Sequence, residues 1–377
     1  MIRVCHIMSG DLWAGAEAMV FHLLKGLLRY RDLQLSAILL NEGKLAARVR
    51  GLDIPVTVLD EGREPFPRIL AEVRRTLQRE SPDIIHSHRY KENITACIAS
   101  RFRGNARLIA TQHGMPEIHG GKDSLSRRLT LRLNFFLLAR LFRTTVAVSE
   151  DIRDRFVSSF GFPEDRVQVI HNGIEIPEGE SFREGGDTLV IGSAGRFYPV
   201  KDFPLMVRVA QEVARRDPGI RFEVAGEGPG RREIRELIRK CGLERRFTLR
   251  GFLEETPAFY RGLDLYLNTS LHEGVPLSVL EAMSHGVPVV APAVGGLAEI
   301  IQDGVQGYLI GDRDAERFAE KCIVLCRDRL LRKRMGSAAR ARVRESFSTG
   351  SMAGQYRQLY RDALAEGCGV PSAAVRT

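Results

Sequence analysis

The stretch of this chain with the most chemistry in it runs from Asn268 to Ile300, NTSLHEGVPLSVLEAMSHGVPVVAPAVGGLAEI. It holds two carboxylates in a Glu-x7-Glu spacing, with Glu273 in a turn and Glu281 inside a predicted short helix that Gly286 closes. The turn follows the apolar strand-like run Leu265–Leu267, and Pro276 suits the first helical position. A helix start presents unpaired amides and partial positive charge, so the backbone around Leu277 and Ser278 could hold a phosphate, while carboxylates accept from sugar hydroxyls. A second strand, Val287–Ala291, ends at Pro292, and Gly295-Gly296 then opens a turn into a helix bearing Glu299. A ligand with both phosphate and hydroxyls suits this β-α-β-turn-α unit, although solvated helix-end charges would also place two glutamates there.

Cations and glycines recur at other strand ends. Arg196 and Lys201 follow the strand Leu189–Ser193 and suit a diphosphate, whose leaving oxygens need compensation as a bond to them breaks. Gly226-Glu227-Gly-Pro-Gly follows the next strand and makes a tight turn where a nucleoside could approach the backbone. It is not a dinucleotide fingerprint, because Arg231 stands where the third glycine belongs. Near the start, Gly10 and Gly15 match G-x4-G, but Ala16-Glu17 replaces the Lys-Ser/Thr that a P-loop requires. His86 and His88, with His113, follow the fourth and fifth predicted strands and would gather at the strands' carboxyl ends. With no cysteine or third spaced ligand beside them, hydrogen bonding to structure or substrate is expected rather than zinc, and no metal site is expected anywhere. Asp312-Arg-Asp314 reads as a helix cap and not as a metal-binding Asp-x-Asp.

HEGVPLSVLEAMSHGVPVVA followed by GGLAEII resembles the signature of retaining glycosyltransferases of the large GT4 family (glycosyl transferases group 1), which have the GT-B fold. The resemblance extends, in order, to Gly15-Ala-Glu, His171-Asn-Gly-Ile, Ser193-Ala-Gly-Arg-Phe with Lys201, and Gly226-Glu-Gly-Pro. Where the family usually has Gly-Gly-Ala-Glu, this chain has Ala14, which leaves Gly15 as the close backbone approach. The resemblance implies an α/β chain of two Rossmann-like domains facing each other across a crevice. It also implies transfer of a sugar, with retention, from a UDP- or GDP-linked donor to a glycan or lipid-linked acceptor, with no cofactor and no metal. Glu281 is then expected on the ribose, Arg196 and Lys201 on the diphosphate, and Glu273 with the Gly295-Gly296 turn on the donor sugar. Gly15, Gly226, Glu227 and Leu277 complete the expected donor site. Glu273 and His113 are the expected catalytic residues, His113 lying near the transferred sugar. Lipopolysaccharide or polysaccharide synthesis is the expected setting. The alternatives are a sugar-nucleotide epimerase of the same fold and a non-catalytic binder of nucleotide sugars or polyanions.

The elements that must position these residues are legible as two series of strand-like runs with helical segments between them, which reads as parallel α/β sheets. The first series is Ile2–Met8, Leu35–Leu40, Val56–Leu59, Ile84–His86, Leu108–Thr111 and Val146–Val148; the second begins at Leu189. The polar stretch Glu175–Asp187 marks a linker. The expected domains are 1–182 for the acceptor and 183–351 for the nucleotide sugar, with 352–377 a helix and tail that, by resemblance, crosses back to the first domain. At 377 residues with 44% hydrophobic and 27% charged content, the chain can bury two cores. A net charge of +9 points to an anionic partner, and nucleic acid is not the one expected. Cys322 and Cys326 read as core residues, and none of the six cysteines forms a Cys-x-x-Cys.

No secretory leader is evident at Met1, and the longest apolar run, Leu133–Phe142, is interrupted by Arg140, so a cytoplasmic protein, soluble or peripheral at the inner membrane face, is expected. The segment Lys122–Arg143 places Arg128, Arg132 and Arg143 at helical spacing beside an apolar face. An anionic membrane surface is accordingly a further expected partner, against the alternative of an ordinary surface helix with its apolar side in the core.

Overall fold

A computed structural model describes residues 1–10, 13–100, 106–114, 125–179, 183 and 188–365. The chain forms two compact units. One comprises residues 1–148 and 152–171 together with the chain from Thr349 onward; the other comprises 149–151 and 172–348. The second unit thus takes in residues 175–179 of the polar stretch assigned to a linker, while Phe182, at the expected domain boundary, lies outside the described residues.

In the first unit, the strands are β1 (Ile2–Met8), β2 (Leu33–Leu39), β3 (Val56–Val58), β4 (Ile84–Ser87), β5 (Arg107–Gln112), β6 (Thr144–Ala147) and β7 (Val167–Val169). Between them run α1 (Gly15–Leu27), α2 (Lys44–Arg50), α3 (Phe66–Glu80), α4 (Tyr90–Ser100), α5 (Leu125–Leu141) and α6 (Glu150–Phe160). All pairings are parallel, in the order β3-β2-β1-β4-β5-β6-β7. Central strands such as β1, read out as Ile-Arg-Val-Cys-His-Ile-Met, are covered on both faces and therefore carry near-continuous apolar runs. Strand β7 was not anticipated; three residues, one of them Gln168, are too few to set a period.

The second unit repeats the plan with β8 (Val190–Ala194), β9 (Arg221–Ala225), β10 (Phe247–Gly251), β11 (Leu265–Leu267), β12 (Val289–Pro292) and β13 (Gly307–Ile310), ordered β10-β9-β8-β11-β12-β13 and again parallel. Its helices are α7 (Phe203–Arg216), α8 (Arg231–Lys240), α9 (Pro257–Arg261), α10 (Leu277–Ser284), α11 (Leu297–Ile300), α12 (Ala315–Arg327) and α13 (Arg329–Ser346). Cys322 and Cys326 belong to its core, where burial pushes the Cys326 thiol up to about 12. Asp314 caps α12 by accepting from the Glu316 amide at 3.0 Å, the role expected of that motif.

Helix α14 (Thr349–Ala365) packs on α1 in the first unit. The contact is close: a side chain at Gly26 of α1 would place its Cβ 2.8 Å from both Ala353 and Thr349. Arg357 and Arg361 fasten the helix to Asp32 at 2.9 Å. Among the described residues no helix is long and apolar enough to cross a membrane.

Candidate active site

Both sheets reverse their strand order once, between β1 and β4 in the first unit and between β8 and β11 in the second. At such a reversal the loops leaving neighbouring strands diverge and open a crevice at the carboxyl edge. The chemically capable residues of each unit gather there.

In the second unit, the loop after β11 carries Glu273, only 9% exposed. Its Oε1 accepts from Lys201 Nζ at 2.6 Å and from Ser270 Oγ at 2.6 Å. A carboxylate this buried holds its charge only with such partners. Lys201 arrives from the loop after β8, so the pair joins the two strands that flank the reversal. Neighbouring groups hold that geometry. Thr269 donates to the Lys201 carbonyl at 3.1 Å, and Asp202 caps α7 through the Leu205 amide. Arg313 binds the Thr269 and Ser270 carbonyls at 2.7 and 3.1 Å and Asp202 at 2.5 Å. Asn172 donates to the Val275 carbonyl at 2.6 Å just ahead of α10. Gly295, at φ +50°, lies so close that a Cβ there would sit 2.0 Å from the Glu273 carbonyl oxygen, which accepts instead from the Gly296 amide at 3.1 Å.

Glu281 lies one turn into α10, and Pro276 takes the cap position, one residue earlier than anticipated. Tyr260 donates to Glu281 Oε2 at 2.6 Å. Burial raises the Glu281 carboxyl to about 7, against which the tyrosine bond works. Leu277 is buried at the head of the same helix. Gly226, at φ +146°, passes so near that a Cβ would lie 1.9 Å from the Gly195 carbonyl oxygen, which draws the β8 and β9 loops together. Arg196 is exposed, its guanidinium 4.9 Å from the Tyr198 ring. Glu227 is also exposed and paired with Arg231 of α8. Arg250 is held by Glu223 at 2.7 and 2.9 Å. Arg196 and Lys201, expected as a pair of cations, thus differ: Lys201 already has a carboxylate partner.

In the first unit the reversal holds four histidines rather than the three noted in the sequence. His6, in the middle of β1, hydrogen-bonds His88 at 3.0 Å, and His88 hydrogen-bonds His113 at 3.3 Å. The expectation that no third spaced ligand lies beside His86 and His88 is thereby corrected: ring nitrogens of His6, His86 and His88 lie within 4.8 Å of one another. The histidine of a buried central strand looks like an ordinary core position, and its partner lies 82 residues away. Both His86 nitrogens are nevertheless engaged at 2.8 Å, Nδ1 by Tyr360 and Nε2 by Thr111, which also bonds Tyr356 at 2.8 Å. Hydrogen bonding therefore accounts for His86 without a metal. Burial pushes His6 and His113 down to about 3 and drives His86 and His88 well below the usual range, so the cluster is neutral. His113 Nδ1 and His6 Nε2 are buried without a hydrogen-bond partner. Glu17 pairs with Arg89 and accepts from the Ala14 amide at 3.2 Å, tying the start of α1. Beside Gly15, no described atom lies within 4 Å of where a Cβ would stand. Glu17, Arg89, His88 and His113 line a shallow pocket with Ser9 and Leu45.

Two sheets of parallel strands with these switch points are the architecture of the GT-B glycosyltransferase class, and the sequence relationships supply the function. Residues 13–177 match Glycosyltransferase Family 4, and residues 178–342 match Glycosyl transferases group 1. The chain belongs to this GT4-type family and is a glycosyltransferase. It is 31% identical over 172 residues, 45% of the chain, to the poly(ribitol-phosphate) alpha-N-acetylglucosaminyltransferase of Staphylococcus aureus, of which the match spans only 35%. It is 21% identical over 379 residues to the Escherichia coli UDP-Gal:alpha-D-GlcNAc-diphosphoundecaprenol alpha-1,3-galactosyltransferase, covering 96% of this chain and 97% of that one. The crystal structure of Anabaena HepE in complex with UDP-glucose superposes with a TM-score of 0.83 at 22% identity, over 96% of this chain and 100% of the other.

Proposed function

We propose that the protein moves a sugar from a nucleoside diphosphate sugar, UDP- or GDP-linked, to a phosphate-bearing glycan or lipid acceptor, with retention at the anomeric carbon and without a metal. The observation that carries the reading is the Lys201–Glu273 pair at the strand reversal of the second unit, beneath the Gly295-Gly296 turn. Arg196 and Lys201 would meet the diphosphate, Glu281 the ribose, Glu227 and the Gly226 turn the nucleoside, and Leu277 would present the head of α10. Glu273 and Gly295-Gly296 would bind the donor sugar, while Gly15 and His113 are the first unit's own candidate ligand-binding residues, near its strand reversal.

The physical demand is charge. As the bond from the anomeric carbon to the diphosphate oxygen breaks, negative charge grows on the leaving group, and the acceptor oxygen forms the new bond while its hydroxyl proton passes to the departing diphosphate oxygen. Lys201 can follow that charge because its partner Glu273 already shares Ser270 as a donor. The neutral histidines suit hydroxyls better than phosphates, whereas Arg89 supplies positive charge beside them. Both relatives named above have phosphate in the acceptor that their names specify, which supports an anionic acceptor and a role in cell-surface glycan or glycolipid synthesis.

The test is a thermal-shift panel of UDP-, GDP- and ADP-sugars, followed by NMR of the product made from the stabilising donor. Stabilisation by one nucleotide class, an acceptor-dependent product with the donor's anomeric configuration, and turnover that persists in EDTA are expected. Donor conversion without acceptor would mean epimerisation, and an inverted product would refute retention. Metal-reversible loss of activity would refute metal independence.

A further inference from the structure

Helix α5 of the first unit has apolar residues on two sides. Its inner side carries Leu138 beside the polar Asn134, each 1% exposed. Its outer side carries Leu129, Leu133 and Phe136, which are 54%, 47% and 60% exposed. At about 100° per residue these three fall within a wedge of roughly 60°, spanning about 10 Å of axis, with Leu138 diametrically opposite. Arg140 continues the wedge one turn further on. Arg132 and Arg128 stand about 60° and 100° to one side of Leu129. The helix has four arginines and neither Asp nor Glu. Arg143, read from the sequence as part of the basic stripe, lies beyond the helix end and is half-buried; Arg140 takes its place.

The alternative of an ordinary surface helix with its apolar side in the core therefore accounts for only half of that side. A soluble helix hides its one apolar stripe inward, and α5 does that and shows a second stripe outward, rimmed by guanidinium groups. Three large apolar side chains in a row beside cations, with no acid among them, match a surface that is apolar below and anionic at its edge. A bilayer leaflet with acidic headgroups has that order.

We propose that α5 lies in the plane of an anionic bilayer surface, with Leu129, Leu133 and Phe136 among the acyl chains and Arg128, Arg132 and Arg140 on the lipid phosphates. The proposal deepens the acceptor reading above, on which its purpose rests: a docked enzyme meets lipid-linked acceptors in two dimensions rather than three. A single such helix gives reversible binding, and the arginines make it depend on salt.

The test is flotation of the full-length protein with phosphatidylcholine vesicles, with and without phosphatidylglycerol. Binding is expected only with phosphatidylglycerol and should fall as salt rises. An R128Q/R132Q/R140Q variant should lose on the order of a hundredfold in vesicle affinity, from about fivefold per cation. An L129S/L133S/F136S variant should lose binding even at low salt while keeping its melting temperature, because those side chains are solvent-exposed. Calorimetry with the stabilising nucleoside diphosphate separates the two readings: both variants should bind it as the parent does. Vesicle binding by the parent that ignores phosphatidylglycerol, or that both variants retain, overturns the proposal. So does a change of oligomeric state in the apolar variant without any lipid binding by the parent, which would assign the stripe to a second copy of the chain. Failure of the parent to bind any of the nucleoside diphosphates, with vesicle binding as expected, would refute the donor-site reading and leave the docking surface standing.

Discussion

Replacing Glu281 by Gln should move stability and ligand affinity in opposite directions. Burial holds the Glu281 carboxyl at about 7 rather than its ordinary 4.5, so the folded protein binds more protons than the unfolded chain between those values. Stability from this group is then fully present below about 4.5 and is lost as pH rises towards 7. At about 1.4 kcal/mol per pH unit the ionised carboxylate costs at most about 3 kcal/mol above neutrality. The glutamine keeps an oxygen for the Tyr260 hydroxyl, 2.6 Å from the carboxylate in the parent, and carries no charge. E281Q should therefore match the parent near pH 5 and exceed it near pH 8 by about 2 kcal/mol, roughly 4–8 °C in Tm. Binding should go the other way. A carboxylate that accepts from ribose hydroxyls is worth about 1–2 kcal/mol more than an amide, so the nucleoside diphosphate should bind about 5–30-fold more weakly. Scanning calorimetry across pH and titration calorimetry with the nucleotide read the two effects separately. Parallel pH profiles for parent and variant would refute the buried-carboxylate argument, and unchanged affinity would remove Glu281 from the donor site.

Lys201→Ala should lower kcat by about a hundredfold or more while changing donor Kd only a few-fold, because the charge it meets grows in the transition state; steady-state kinetics beside binding isotherms check this, and equal losses would mean uniform binding. Tyr360→Phe deletes the hydroxyl bonded to His86 Nδ1 and leaves a buried nitrogen unsatisfied, for a loss of about 1–3 kcal/mol in denaturant unfolding; an unchanged midpoint would show that the hydroxyl contributes nothing to the fold. Gly226→Ala should destabilise by more than about 2 kcal/mol, since its Cβ meets the Gly195 carbonyl oxygen at 1.9 Å in a backbone region that L-residues avoid; a variant that melts with the parent would mean that the loops yield freely.

The alternation of apolar runs made the parallel sheets legible, because strands buried on both faces announce themselves by composition. Glu273, Lys201, Gly226, Gly295 and Glu281 could each be picked out as strand-end or helix-start residues, since those positions carry recognisable glycines, prolines and charges. Pairing was not legible. Lys201 and Glu273 lie 72 residues apart and no local pattern joins them. Tyr260, Arg313 and Asn172 support the site through one hydrogen-bonded atom or backbone carbonyls, which leaves no signature of spacing. His6 was hidden by its strand, where a buried position favours any apolar or neutral side chain. The outward stripe of α5 was hidden for a different reason: a helix apolar on two sides has a weak periodicity, so the sequence does not say which side faces in.

Helix α14 sets an order of events for the nascent chain. His86 and Thr111 are made early, but their tyrosine partners come 274 and 245 residues later, after every residue of the second unit has been synthesised. Until then the first sheet is a partly open layer, with Gly26 of α1 and the His86 ring lacking the surface that covers them in the finished protein. The second unit, whose residues run from 172 to 348 almost without interruption, has no such wait and can complete its own core first. Folding would then run against the direction of synthesis, the later half closing before the earlier one. A fragment ending before Thr349 should accordingly hold a sound second unit and a first unit prone to aggregation, with its histidine cluster open to water.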